Sequence, residues 1–410
     1  MAAFIGNEFF TTPARSPDNH GIAVRYVRGM KTTHTLVIAT LALSGLSFTH
    51  AADAKAEQPV VQIAILLDNS GSMSGLIAQA KSQLWSIVNE FISAKQDGKA
   101  PRVQVALFAY GLNAAGAPAN AGYIHQLSPL TDDLDKLSEQ LFAISQKDAG
   151  GEEYCGWVIR DAVEKLAWDN SPKTYKAIFI AGNEPFTQGS VKYTAACKAA
   201  ISKGIIVNTI HCGSESDGIS GMWKDAAAIS DGRFMLINHN AQVAVIPAPQ
   251  DKDIAELNTK LNATYVAYGA KGDEGRSRQI AQDANAAAAP AGADVLAKRS
   301  QSKASANYSN SAWDLVDHAK EKDFDISKLK ADELPEEMRK LSIEGRKTYV
   351  EKKRTEREEL QKKLSDLAGE RDKFVAEKQR EQSKDTTLGS AVTTAVREQA
   401  EKKGMSFEKK

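Results

Sequence analysis

The sequence predicts an α/β protein with a doubly wound, mainly parallel sheet, followed by a charged, mostly helical C-terminal region. Three observations lead there. Apolar runs of strand length alternate with segments of helical periodicity between residues 60 and 238. Those runs are apolar on both strand faces, as strands covered on both sides must be. Beyond about residue 304 the chain turns rich in Glu, Lys and Arg.

Each element follows from its own pattern. "VVQIAILL" (60–67) is a strand-length run rich in Val and Ile. Leu76, Ile77, Ala80, Leu84, Ile87, Val88, Phe91 and Ile92 then recur at spacings of three and four, making one apolar helix face. "VQVALFAYG" (103–111) is a second strand, and the loop "GLNAAGAPANAG" leads to a short strand at 123–130. This connection holds no helix, so the short strand is read as an antiparallel edge. Leu134, Leu137, Leu141 and Ile144 mark a helix, and "GGEEYCGWVIRDAVEKLAW" (150–168) is a glycine-led loop entering another. "YKAIFIAG" (175–182), a helix stopped at Gly204, "IIVNTIHCG" (205–213), a helix near 220–230 and "RFMLIN" (233–238) complete the alternation. Trp85, Trp157 and Trp168 fall in helical segments and read as packing residues.

The domain boundaries follow composition. Residues 58–240 form the α/β domain, and residues 241–303 a linker with a docking helix at 251–263. Within the linker, "ANAAAAPAGA" (284–293) is low-complexity. Residues 304–410 form the charged helical region. There Leu360, Leu364, Leu367 and Phe374 keep a four-three spacing that Arg371 interrupts. About two heptads fall short of a coiled coil, so a solvated helical extension is the expectation.

Before residue 58, "MKTTHTLVIATLALSGLSFTHAADA" (30–54) has a basic start, a 13-residue apolar core and small residues suited to cleavage after Ala51 or Ala54. That is the pattern of a secretory signal peptide, too short in its apolar core for a comfortable membrane span. Translation is read as starting at Met30, with residues 1–29 a mis-extension. The mature protein is then periplasmic or secreted. The 52 basic and 52 acidic residues balance, so no net field favours nucleic acid. Three cysteines, Cys155, Cys197 and Cys212, allow at most one internal disulfide. Cys197–Cys212 is the first choice, with Cys155–Cys212 and three reduced thiols as alternatives.

The stretch "LLDNSGSMSG" (66–75) holds the chemistry. Asp68, Ser70 and Ser72 sit two residues apart just past the first strand, where ligands collect in open parallel sheets. Oxygen donors of this kind suit magnesium, manganese or calcium. The plainer reading is a turn and helix cap, since Asp, Asn, Ser and Gly favour both. The strand before it and the amphipathic helix after it favour the cation.

"ILLDNSGSM" resembles the start of a von Willebrand factor A domain with its metal-ion-dependent adhesion site. The resemblance spans about residues 58–240. It implies a doubly wound fold with a divalent cation at the top face, bound directly by Ser70 and Ser72 with Asp68 close by. Two further elements of that site depart from the pattern. Where the family usually has a Thr, the turn Gly150-Gly151 is followed by Glu152. Where it has an Asp-Gly pair, this chain has Gly182-Asn183, with Glu184 next. The implied metal set is therefore Asp68, Ser70, Ser72 and Glu152. The implied activity is binding, not turnover: a protein partner presents an acidic side chain to the cation. In the alternative reading the head is degenerate and metal-free, and the charged helices act as a scaffold. An enzyme with Cys155 or Ser70 as nucleophile and His211 as base is the weakest reading, since no nucleophile elbow, phosphate loop or zinc-protease motif is present.

Overall fold

A computed structural model describes residues 58–113, 115–241, 246–382 and 387–407. The signal-peptide and start-site expectations for residues 1–54 lie outside the described residues. The first half follows the predicted alternation. In order come β1 (Val60–Asp68), α1 (Ser74–Asn89), the short β2 (Lys95–Gln96), β3 (Arg102–Tyr110), β4 (His125–Thr131), α2 (Leu134–Ala143), α3 (Cys155–Lys165), β5 (Tyr175–Gly182), α4 (Tyr193–Ser202), β6 (Ile206–His211), α5 (Glu215–Ser220), α6 (Trp223–Ile229) and β7 (Phe234–Leu236). Helices then dominate: α7 (Asp251–Asn262), α8 (Gly272–Ala288), α9 (Gly292–Lys303), α10 (Leu315–His318), α11 (Glu336–Arg339), α12 (Ile343–Gln382) and α13 (Leu388–Glu401), before β8 (Met405–Ser406).

Six strands form one sheet in the order β4-β3-β1-β5-β6-β7. All pairs are parallel except β3 with β4, so the antiparallel edge stands where the missing helix predicts it. The period-two geometry of a strand explains the apolar runs. Along β1, Val61, Ile63, Ile65 and Leu67 face one core, while Ala64 and Leu66 face the other. The first core lies under α1, α2 and α13, and the second under α3, α4 and α6. The helix after β1 and the helix after β5 cover opposite faces, which makes the gap between β1 and β5 the topological switch point. Asp68 ends β1 and Gly182 ends β5 at that gap.

Three expectations about the helices differ from the structure. First, residues 284–293 do not form an open linker. They end α8 and begin α9, with Ala286 buried in the main core; alanine's high helix propensity wins over low complexity. Second, α12 is not fully solvated. Leu360, Leu364 and Ala368 are buried in a stripe facing α7 and α9. Arg371, the apparent interruption, belongs to the stripe and reaches Asp251 and Asp294 at 2.6 Å each. Arg357 is buried the same way, between Asp314, Asp317 and the ring of Tyr265. Charged residues therefore fill inward positions, which apolar periodicity cannot register.

Third, α13 belongs to the α/β core rather than to a solvated tail. Leu388, Ala391, Val392, Ala395, Val396 and Ala400 are buried at helical spacing, and α13 packs on α1, β5 and β6. Gln399 exchanges hydrogen bonds with Asn208 and accepts one from the Tyr175 hydroxyl. The strands β2 and β8 pair antiparallel just beyond it. Residues 58–240 and 388–401 thus share one core, with the intervening helices packed on its outer side.

All three cysteines are free and buried. Cys212 faces the α1 side of the sheet, whereas Cys155 and Cys197 face the α3 side. The sheet stands between the expected partners, so neither Cys197–Cys212 nor Cys155–Cys212 forms.

Candidate functional site

The first loop is built by an Asx turn. The Ser70 amide donates to Asp68 Oδ1 at 2.7 Å, and the Met73 amide closes the next turn onto the Ser70 carbonyl at 3.0 Å. The Asn69 amide donates to the Tyr110 carbonyl at 2.9 Å, tying the loop to the end of β3. These bonds bend the chain from strand into helix within a few residues. Ser70 Oγ and Ser72 Oγ lie 3.2 Å apart and hydrogen-bond each other. Asp68 is fully buried, Ser70 nearly so, and Ser72 is exposed. The motif's three side chains therefore do converge, with the carboxylate beneath the hydroxyls.

Asp68 is only half satisfied. Its Oδ2 is buried without a hydrogen-bond partner. Burial pushes its carboxyl up to about 6, against the pull of the Ser70 donors. On the neighbouring strand, Gly182 is a packing requirement. A Cβ there would overlap the Tyr110 hydroxyl and stand 2.9 Å from Asp68 Oδ2. The Tyr110 hydroxyl is itself held by the Ala181 carbonyl at 2.9 Å. An aspartate at 182 has no space while that tyrosine is in place. The next residue, Asn183, directs its Nδ2 at Ser72 Oγ, 3.5 Å away, and leaves its Oδ1 buried and unpartnered.

The adjacent glutamates divide. Glu152 is exposed, while Glu153 is partly buried. Gly111, at a positive φ of 73°, brings two acids together: a Cβ on it would lie 3.1 Å from Asp68 Oδ1 and 3.2 Å from Glu153 Cγ. Burial, then the charges of Asp68 and Glu184, push the Glu153 carboxyl up to about 7. Gln188 links this pair to the loop after β5. It accepts from the Glu153 amide at 3.3 Å and donates to Glu184 Oε2 at 3.2 Å. The sequence pattern points to Glu152 and not to Glu153 or Gln188. Two consecutive glutamates in a loop carry no period that says which turns inward, and Gln188 is distant in sequence.

The donors are engaged with one another as they stand. One Asp68 oxygen serves the Asx turn, the two hydroxyls serve each other, and Gly182 closes the position of a further carboxylate. Among the described residues no group of three or more His, Cys, Asp or Glu is placed to hold a metal ion. The nucleophile reading fares no better. Both His211 nitrogens are buried without hydrogen-bond partners, so His211 is paired with neither Ser70 nor Cys155. Burial also holds the Cys155 thiol well above its ordinary value.

Comparison with solved structures gives matches of low identity and low TM-score. No sequence family matches the chain, and no curated protein does. Among solved structures, the conserved hypothetical protein BatB from Bacteroides thetaiotaomicron is 19% identical, with a TM-score of 0.33; the match covers 43% of this chain and 90% of that one. An aerotolerance-related membrane protein from Bacteroides fragilis is 16% identical, with a TM-score of 0.31, covering 44% and 93%. The SpRpn10 VWA domain is 20% identical, with a TM-score of 0.33, covering 43% and 88%. Among the described residues no helix is long and apolar enough to cross a membrane.

Proposed function

We propose that this protein is an exported, non-enzymatic binding protein of the cell envelope, with its α/β head and its charged helices working as one scaffold. The head offers the face around Asp68 to a protein partner without a resident metal ion. The observation that supports this reading most is the closure of the head's core by α13. Its buried apolar face lies on α1, β5 and β6, so the helices between β7 and α13 are anchored to the head at both ends. Buried pairs such as Arg299 with Asp135 and Asp283, each at 2.6 Å, brace the same junction. Such an arrangement suits a rigid platform rather than a head on a flexible stalk.

A second reading keeps the cation. Asp68, Ser70, Ser72 and Glu152 would hold magnesium, manganese or calcium, and an acidic side chain of the partner would complete the coordination. The unpartnered Asp68 Oδ2 favours it. Photo-cross-linking from position 71 separates the readings. A benzoylphenylalanine in place of the exposed Gly71, where a Cβ meets nothing within 4 Å, leaves all four oxygen donors in place and should capture the same partner in EDTA and in magnesium; capture only in magnesium supports the cation. No adduct from position 71, with adducts from a reporter on α12, would defeat the proposal that the Asp68 face binds.

A further inference from the structure

We propose that His211 makes the segment α5–α6 a pH-sensitive cap: when the imidazole takes up a proton, the cap lifts and releases the loop after β5 that carries Asn183 and Glu184. The bearing of this movement on partner binding rests on the reading of the Asp68 face as the binding surface. The movement itself does not.

His211 ends β6 as Asp68 ends β1 and Gly182 ends β5, and it pairs in register with Gly182. It is 2% exposed, and neither ring nitrogen has a hydrogen-bond partner. The cap lies tight upon it. A Cβ on Gly213 would stand 2.7 Å from Nε2, and one on Gly218 would stand 3.0 Å from Cδ2. The Trp223 ring centre is 5.4 Å away. Inward from α5 comes Gly218, from α6 Trp223, Ala226 and Ala227, from α4 Ala196, Cys197 and Ala200, and from β7 Phe234. None of these is charged. The titratable groups that face the imidazole are Asp217, exposed on α5, and His239 after β7. A neutral ring is tolerated there. An imidazolium brings two N–H donors and a charge to a place with no acceptor for them.

Burial holds the His211 imidazole below its ordinary 6.5, with Asp217 opposing the shift and His239 adding to it. The covered ring thus binds a proton less tightly than an uncovered one, so falling pH favours the lifted cap, where the ring meets Asp217 or water. The cap is lightly held. Helix α5 has six residues and buries only Gly218, while Ile219 and Met222 remain exposed. Met222 sits at a φ of 67°, in the left-handed region that a side chain disfavours. Segments with so few buried contacts open locally at small cost. Two bonds carry the movement to the candidate face. Trp223 Nε1 donates to the Glu184 carbonyl at 2.9 Å, and the Phe186 amide donates to the Gly221 carbonyl at 2.9 Å. Between β5 and these ties lies Asn183, directed at Ser72.

The test follows the full chain, isotope-labelled and in EDTA, by nuclear magnetic resonance from pH 7.5 to pH 5. The Trp223 indole and the Phe186 amide should lose protection from hydrogen exchange about tenfold, corrected for the intrinsic rate, while the amides of β1 keep theirs. The His211 ring signals should titrate at the same midpoint, below 6.5. Asp68 and Glu153 also titrate near this range, at about 6 and about 7, so variants assign the transition. Asp68→Asn and Glu153→Gln should keep it, and His211→Gln should abolish it. A ring that titrates without any change at Trp223 and Phe186 overturns the proposal, and this holds even if His211→Gln does not fold. A transition that survives in His211→Gln, or that disappears in Asp68→Asn or Glu153→Gln, overturns it as well. If the transition is present but the reporter at position 71 captures no partner at either pH, the cap stands and the binding reading falls.

Discussion

Replacing Asp68 by Asn removes a buried charge while keeping a carbonyl oxygen to accept the Ser70 amide. Burial raises the Asp68 carboxyl from its ordinary 3.8 to about 6. The sign follows from proton counting. A raised acid binds protons more tightly in the folded state, so its contribution to stability is complete below the unfolded value and is lost as pH rises through about 6. At about 1.4 kcal/mol per pH unit, the ionised carboxylate costs roughly 3 kcal/mol at pH 8. In EDTA, Asp68→Asn should therefore be more stable than the parent by up to about 3 kcal/mol at pH 8, shrinking to about 1 kcal/mol near pH 4.5. Urea unfolding followed by tryptophan fluorescence at both pH values measures the difference. A gap that does not change with pH would refute the claim that Asp68 is strained by its burial. Magnesium that stabilises the parent above the variant at pH 8 would show that a cation relieves the cost.

Four other outcomes follow. Arg357→Met should lose about 3–5 kcal/mol in urea unfolding, because it leaves the buried Asp314 without its 2.7 Å partner. Gly182→Ala should cost about 1–3 kcal/mol by overpacking against Tyr110, and Tyr110→Phe in the same chain should recover part of it, read from melting temperatures. Residues 58–240 made alone should lack a fixed near-ultraviolet circular dichroism spectrum and bind a hydrophobic dye, since α13 is missing from their core. The three thiols should react with maleimide only after unfolding, because all are buried and burial lifts the Cys197 thiol to about 12; rapid labelling of the native chain, or a disulfide in the unreduced mass map, would contradict this.

The sequence by itself determined the strands, most helices of the head, the antiparallel edge and the place of the candidate site. These are local or periodic properties. Apolar runs declare strands buried on both faces, and Asp68-x-Ser70-x-Ser72 declares a tight oxygen-rich turn at a strand's end. Tertiary structure alone decided which glutamate turns inward, why position 182 is glycine, and where the last helix goes. Glu153 and Gly182 are set by neighbours across the sheet, Asp68 and Tyr110, which are far away in sequence. The burial of Arg357 and Arg371 depends on acids forty or more residues away in the chain. Helix α13 has an ordinary amphipathic pattern, and nothing in such a pattern names its partner. Its seat beside α1 exists because the intervening helices bring the chain back to the sheet, and that is a property of the whole fold.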